Sequence, residues 1–158
     1  MIRFACLTAL TAIMAHPVAA LSCLVPDVAR STQEAIDADA RYRIVSGTFT
    51  FDARIPPFDG TPLPDGQTVR VPARFGGAVL TDQGFTQRLT SDVTLNVDCM
   101  MQSCGSLAQG TETLAFLRMD GDALTLDLGP CPQWVFPAPT AAQKQTVVDC
   151  VAGDCPAG

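Results

Sequence analysis

The stretch that decides the fold is Thr111-Glu112-Thr113-Leu114-Ala115-Phe116-Leu117-Arg118-Met119-Asp120-Gly121-Asp122-Ala123-Leu124-Thr125-Leu126-Asp127-Leu128. Two apolar runs, Thr111 to Met119 and Ala123 to Leu128, flank Asp120-Gly121. Asp-Gly between such runs marks a tight hairpin, because both central positions of a type I′ turn need positive φ. The stretch therefore predicts two antiparallel strands, and the chain upstream supplies their partners. Asp92 to Asp98 alternates through Val93, Leu95 and Val97, and Gln67 to Leu80 through Val69, Val71, Ala73 and Phe75, the period of a half-buried strand. Gly84 to Leu89, between them, reads either as a short strand or as part of a loop. Arg41 to Phe51 is rich in strand formers, and Gly47 in its middle suggests a bulge or bend. Ile55 to Gly66 carries Pro56, Pro57, Pro62 and Pro64, a composition barred from a central strand.

Helical patterns stand at both ends. Pro26 to Ala40 reads as a helix, with Pro26 suited to a first turn and Val28, Ala35 and Ile36 able to share a face. Pro139 to Asp149 reads as a second, with Thr140 as its N-cap. The order is helix, five or six strands, helix, with no βαβ alternation and no internal repeat. That order predicts an antiparallel barrel or sandwich with helices packed outside it.

Residues 1–20 have the three parts of a secretory signal: Arg3, the apolar run Phe4 to Met14, and small residues at Val18-Ala19-Ala20. The expected product is one domain over residues 21–158, secreted or periplasmic. Ala20-Leu21-Ser22-Cys23 also loosely resembles a lipobox, which would acylate Cys23 and leave an odd number of thiols. No stretch is long and apolar enough to span a membrane as a helix. The leader holds His16, the only histidine, and Cys6. Six cysteines remain: Cys23, Cys99, Cys104, Cys131, Cys150 and Cys155. An even thiol count in an exported chain reads as a disulfide framework. The chain has ten Lys or Arg against sixteen Asp or Glu, a net charge of −6 that becomes −7 when Arg3 leaves. Such a balance disfavours nucleic acid and anionic membranes as partners, since phosphate binding needs a basic footprint.

Taken together, the layout resembles the N-terminal netrin-like domain of the tissue inhibitors of metalloproteinases, an OB-fold. Four patterns carry the resemblance: Leu21-Ser22-Cys23-Leu24-Val25-Pro26 before a helix; Cys104-Gly105 after a strand; Gly110 with Leu114-Ala115-Phe116-Leu117; and Leu126 to Cys131, then Trp134 and a helix to Cys150. The resemblance implies a mainly β, five-stranded antiparallel OB-like barrel with one N-terminal and one C-terminal helix, stapled by disulfides. It implies the pairs Cys23–Cys131, Cys99–Cys104 and Cys150–Cys155. It also implies a protein partner, a protease in the first instance, engaged through the N-terminal edge. One departure stands out. The inhibitors begin on a cysteine whose amine and carbonyl chelate the protease zinc, and Leu21 stands there in this chain.

The residues themselves argue against an enzyme. Without a histidine there is no Ser-His or Cys-His nucleophile and no common metal ligand. Cys99-x4-Cys104 and Cys150-x4-Cys155 could be spaced for zinc, but bridges suit an exported chain better. Asp120 and Asp122 fit a hairpin turn rather than a calcium loop, and no sequence signal marks a glycosidase carboxylate pair. The expectation is a monomeric binding module with no catalytic residue, metal or cofactor. Its candidate contacts are Leu21, Ser22, Cys23, Leu24 and Val25 at the N-terminal edge and Phe58 in the Pro-rich loop. The alternatives are a small-ligand or oligosaccharide binder using that loop, which OB-folds often use, or a structural protein of the cell envelope.

Overall fold

The computed structural model describes residues 22–52, 66–100 and 103–156. The leader, Leu21 and the Pro-rich segment with Phe58 lie outside them. The elements are α1 (Val28–Asp37), β1 (Arg41–Thr50), β2 (Thr68–Thr81), β3 (Gly84–Met100), β4 (Ser103–Cys104), β5 (Thr113–Asp120), β6 (Ala123–Leu128), β7 (Val135–Pro137) and α2 (Ala141–Ala152). The protein is mainly β, a seven-stranded mixed sheet with a helix at either end of the chain.

Asp27 is the N-cap of α1, its carboxylate accepting the Arg30 N–H at 2.8 Å, so the helix begins after Pro26 rather than on it. Thr140 caps α2 through a full capping box. Its hydroxyl accepts the Gln143 N–H at 3.1 Å, and the Gln143 side-chain oxygen accepts the Thr140 N–H at 2.9 Å. Gly153 ends α2 in the left-handed region, where it donates to the Cys150 carbonyl. Gly84 to Leu89 forms the opening of the long strand β3.

Pairing runs β1-β2-β3-β6-β5, and β5 pairs with β1 as well, so the sequence of neighbours returns to its start. β4 is attached to β3 and β7 to β5. The sheet is not antiparallel throughout, as the sequence led one to expect: β3 and β6 run parallel, from Thr94↔Thr125 to Val97↔Leu128. The reason is arithmetic. Strands that alternate direction around a ring of five must place one pair of neighbours in the same direction, and that pair is β3–β6.

Gly47 sits in unbroken register opposite Gly77, with no bulge. A Cβ on Gly47 or on Gly77 would meet the Phe75 ring at 2.8 or 2.7 Å. The two glycines let β1 and β2 approach closely while Phe75 lies over them.

Apolar residues alternate between two clusters. Val45, Phe49, Phe75, Leu95, Leu117 and Leu126 fill one face of the sheet, with Phe49 and Phe75 centroids 5.0 Å apart. Ile44, Leu114, Phe116 and Phe136 lie on the other, beneath Val28 of α1 and Val147 of α2. Full burial of one such side chain is worth roughly 1.5–3 kcal/mol. The structure holds three disulfides, Cys23–Cys131, Cys99–Cys104 and Cys150–Cys155. Among the described residues no helix is long and apolar enough to cross a membrane.

Candidate functional site at the N-terminal edge

β6 ends at Leu128, and the chain turns through Gly129-Pro130 to Cys131. The Cys23–Cys131 bridge, with its Cα atoms 5.3 Å apart, fixes the entering chain there. Pro26 and Asp27 then launch α1. A second attachment holds the other side of this end. Gly105 lies so tightly against the Leu128 backbone that no Cβ would fit. Beside it, Cys99 and Cys104 face each other across β3 and β4. The N-terminal segment and the short clasp thus both sit where the parallel β3–β6 junction stops.

Ser22, Cys23, Leu24 and Val25 line a hollow of about 340 Å³ with Arg30, Glu34 and Cys131-Pro132-Gln133. Its far wall is tied to α1: the Ser31 hydroxyl donates to the Gln133 carbonyl at 2.7 Å, and the Gln133 amide donates to the Glu34 carboxylate. Leu24 and Val25 project from this tied frame, 78% and 82% exposed. Four of the six expected contact residues therefore come together. Leu21 and Phe58 fall outside the described residues. The edge offers apolar side chains on an anchored backbone, with Arg30 and two carboxylates, Asp27 and Glu34, around the hollow. Among the described residues no group of three His, Cys, Asp or Glu could hold a metal ion.

A polar network on the helix-side face of the sheet escaped the sequence reading. The Asp127 carboxylate accepts from Asn96 Nδ2 at 2.7 Å and from Arg118 Nε at 3.0 Å, and Arg118 Nη1 also bonds Asp120 at 2.8 Å. Arg118 is held protonated first by its hydrogen bond to Asp127. Tyr42 stacks on Trp134 with centroids 4.9 Å apart. Burial, then the Asp127 charge, pushes the Tyr42 phenol above its usual pKa, against the opposing pull of Arg118. Asn96 Oδ1 is buried with no hydrogen-bond partner. Asp127 alternates with Leu126 and Leu128 and so lies on the opposite face of β6, but no local signal joins it to Asn96 or Arg118. Elsewhere, Glu112 is held below the usual carboxylate range by its hydrogen bonds to Lys144 and to Ser46. A broad depression of about 760 Å³ lies beside the end of β1, lined by Asp52, Pro72, Arg74, Asp92, Thr94 and Asp122 among others.

No protein-family model matches the chain, and no curated protein or solved structure matches it.

Proposed function

We propose that the chain is an exported, non-enzymatic OB-type module that binds a protein partner through its N-terminal edge, in the manner of a metalloproteinase inhibitor. The observation that carries this reading is the pair Leu24 and Val25. They are largely exposed, yet the chain beside them is bridged to Cys131, 108 residues away. Apolar side chains held on an anchored backbone lose little entropy on binding, which favours their use as anchors. The barrel part of the reading is supported by the ring of pairings, the apolar cluster on one sheet face and the helices on the other. The partner class comes from the resemblance, whose opening segment, described from Ser22 to Pro26, and Cys104-Gly105 pair belong to this one end of the sheet.

The test uses protein beginning at Leu21 against a panel of zinc proteases. The expected result is slowed turnover by at least one member, abolished when residues are added before Leu21. Inhibition of none overturns the protease assignment.

A second reading rests on the depression beside β1, where the Pro-rich connection leaves the sheet and OB-folds commonly bind ligands. It predicts a thermal shift with a cell-envelope glycan, lost on Phe58→Ala.

A further inference from the structure

The two strands at the opposite end of α1 part company. β1 pairs with β2 only from Val45↔Val79 onward, although β1 begins at Arg41 and β2 continues to Thr81. Arg41 to Ile44 pair with β5 on their other edge, and the end of β2 pairs with β3. A wedge of about 540 Å³ opens between them, roofed by the last turn of α1 and by Val151 of α2. Its volume falls in the range of small-molecule sites, roughly 300–1,000 Å³. Apolar side chains dominate the lining: Ile36, Ile44, Val79, Leu80, Met119 and Val151. Ile36 and Val151 are about half exposed, although helix positions facing a sheet are ordinarily covered.

The charged groups in the wedge are unevenly placed. Arg41 and Arg43, two apart on a strand, share the face of Val45 away from the helices and line the β1 side, and Asp82 lines the β2–β3 turn. Arg74, Arg118 and Lys144 each lie within 4 Å of a carboxylate; among the described residues Arg41 and Arg43 have none, as is true of Arg30, Arg70 and Arg88, but of these five only Arg41 and Arg43 line the wedge. In a chain of net charge −6, two unmatched guanidiniums beside an apolar wedge are complementary to a molecule with a greasy tail and one anionic head.

We propose that this wedge binds a fatty-acid-type carboxylate, its alkyl chain running from beneath Ile36 and Val151 through the gap between the diverging strands and its head on Arg41 and Arg43 at the other face. The site is separate from the N-terminal edge, which lies at the start of α1, about 15 Å away along the helix.

The chain supplies its own reporter. Trp134 is the only tryptophan, and it stacks on Tyr42, which borders the wedge. Titration of the purified protein with dodecanoate below its micelle threshold should change Trp134 fluorescence saturably. The double variant Arg41→Gln/Arg43→Gln should weaken binding about tenfold or more, and the uncharged methyl ester should bind the native protein no better than that variant binds the acid. Ile36→Glu, at a half-exposed position clear of the sheet interior, should abolish the response with an unchanged melting temperature. The proposal is overturned if there is no saturable response, if acid and ester bind equally, or if the response survives in Ile36→Glu or in the arginine variant.

Discussion

The two junctions made by β3 are built differently. With β2 it forms a long antiparallel ribbon, from Thr68↔Asp98 to Thr81↔Gly84, closed by a tight local turn. With β6 it shares four register pairs, in parallel, with a partner about 30 residues on. Parallel pairing is slightly weaker per residue than antiparallel pairing, and it has no hairpin to set its register. The short junction is reinforced by side chains instead. Asn96 and Arg118 converge on Asp127, Gly105 seals the Leu128 end, and Cys131 just beyond it is bridged to Cys23. The ribbon's polar contacts between side chains are exposed ones: the ion pair Arg74–Asp92, with side chains 64% and 87% accessible, and hydrogen bonds from Thr68 to Asp98 and between Thr81 and Thr86. Where local sequence fixes a junction, side chains are free to be ordinary. Where it does not, covalent and charged contacts take over, and in this protein they also frame the N-terminal edge.

The hardest blow to that difference is loss of the long bridge. On the loop-entropy relation, Cys23→Ser with Cys131→Ser, which opens a 108-residue separation, should cost about 4–5 kcal/mol in urea denaturation. Removing either clasp of separation 5 should cost about 2 kcal/mol. Equal losses would erase the distinction.

A smaller effect separates the charged contacts. Asp127→Ala leaves Arg118 without its Nε partner and Asn96 without its acceptor, and should cost about 1–3 kcal/mol. Asp92→Ala on the ribbon breaks only an exposed pair and should cost about 0–0.5 kcal/mol. Chemical denaturation of the two variants side by side checks the ratio.

The finest probe is spectroscopic. Tyr42 is the only tyrosine, so its phenol can be titrated by absorbance without ambiguity. Its midpoint should lie above the ordinary value of about 10. Asp127→Asn should lower it, and Arg118→Gln should raise it further. The linkage sign follows: folded Tyr42 keeps its proton where the unfolded chain has lost it, so this group's contribution to stability falls as pH rises through and beyond about 10. A midpoint unmoved by Asp127→Asn would remove the tyrosine from the network.

The hairpins and helix caps were legible because each is a local property. Gly121 takes the positive φ of the hairpin, although the two-residue turn is Gly121-Asp122, one residue later than Asp120-Gly121, with Asp120 still paired in β5. Thr140 and Gln143 satisfy each other three residues apart. Gly47 was visible as an irregularity, but its cause lies on another strand, in Gly77 and the Phe75 ring. The parallel junction was implicit in the count of five strands, since an odd ring cannot alternate everywhere. Strand periodicity reports which side chains share a face and says nothing about which strand lies alongside. The Asn96–Asp127–Arg118 network was hidden for that reason. Of the candidate site, Ser22 to Val25 could be picked out beforehand. The hollow they share with Glu34 and Gln133 depends on a helix packing against a loop 99 residues away.

The central claim is that Leu24 and Val25 are the working surface. Leu24→Asp with Val25→Asp changes two largely exposed positions and should leave the melting temperature unchanged. Measured against a zinc protease that the native protein inhibits, the double variant should lose at least about tenfold in inhibition, as removal of a hot spot does. Undiminished inhibition by a variant folded as well as the native protein would contradict the account.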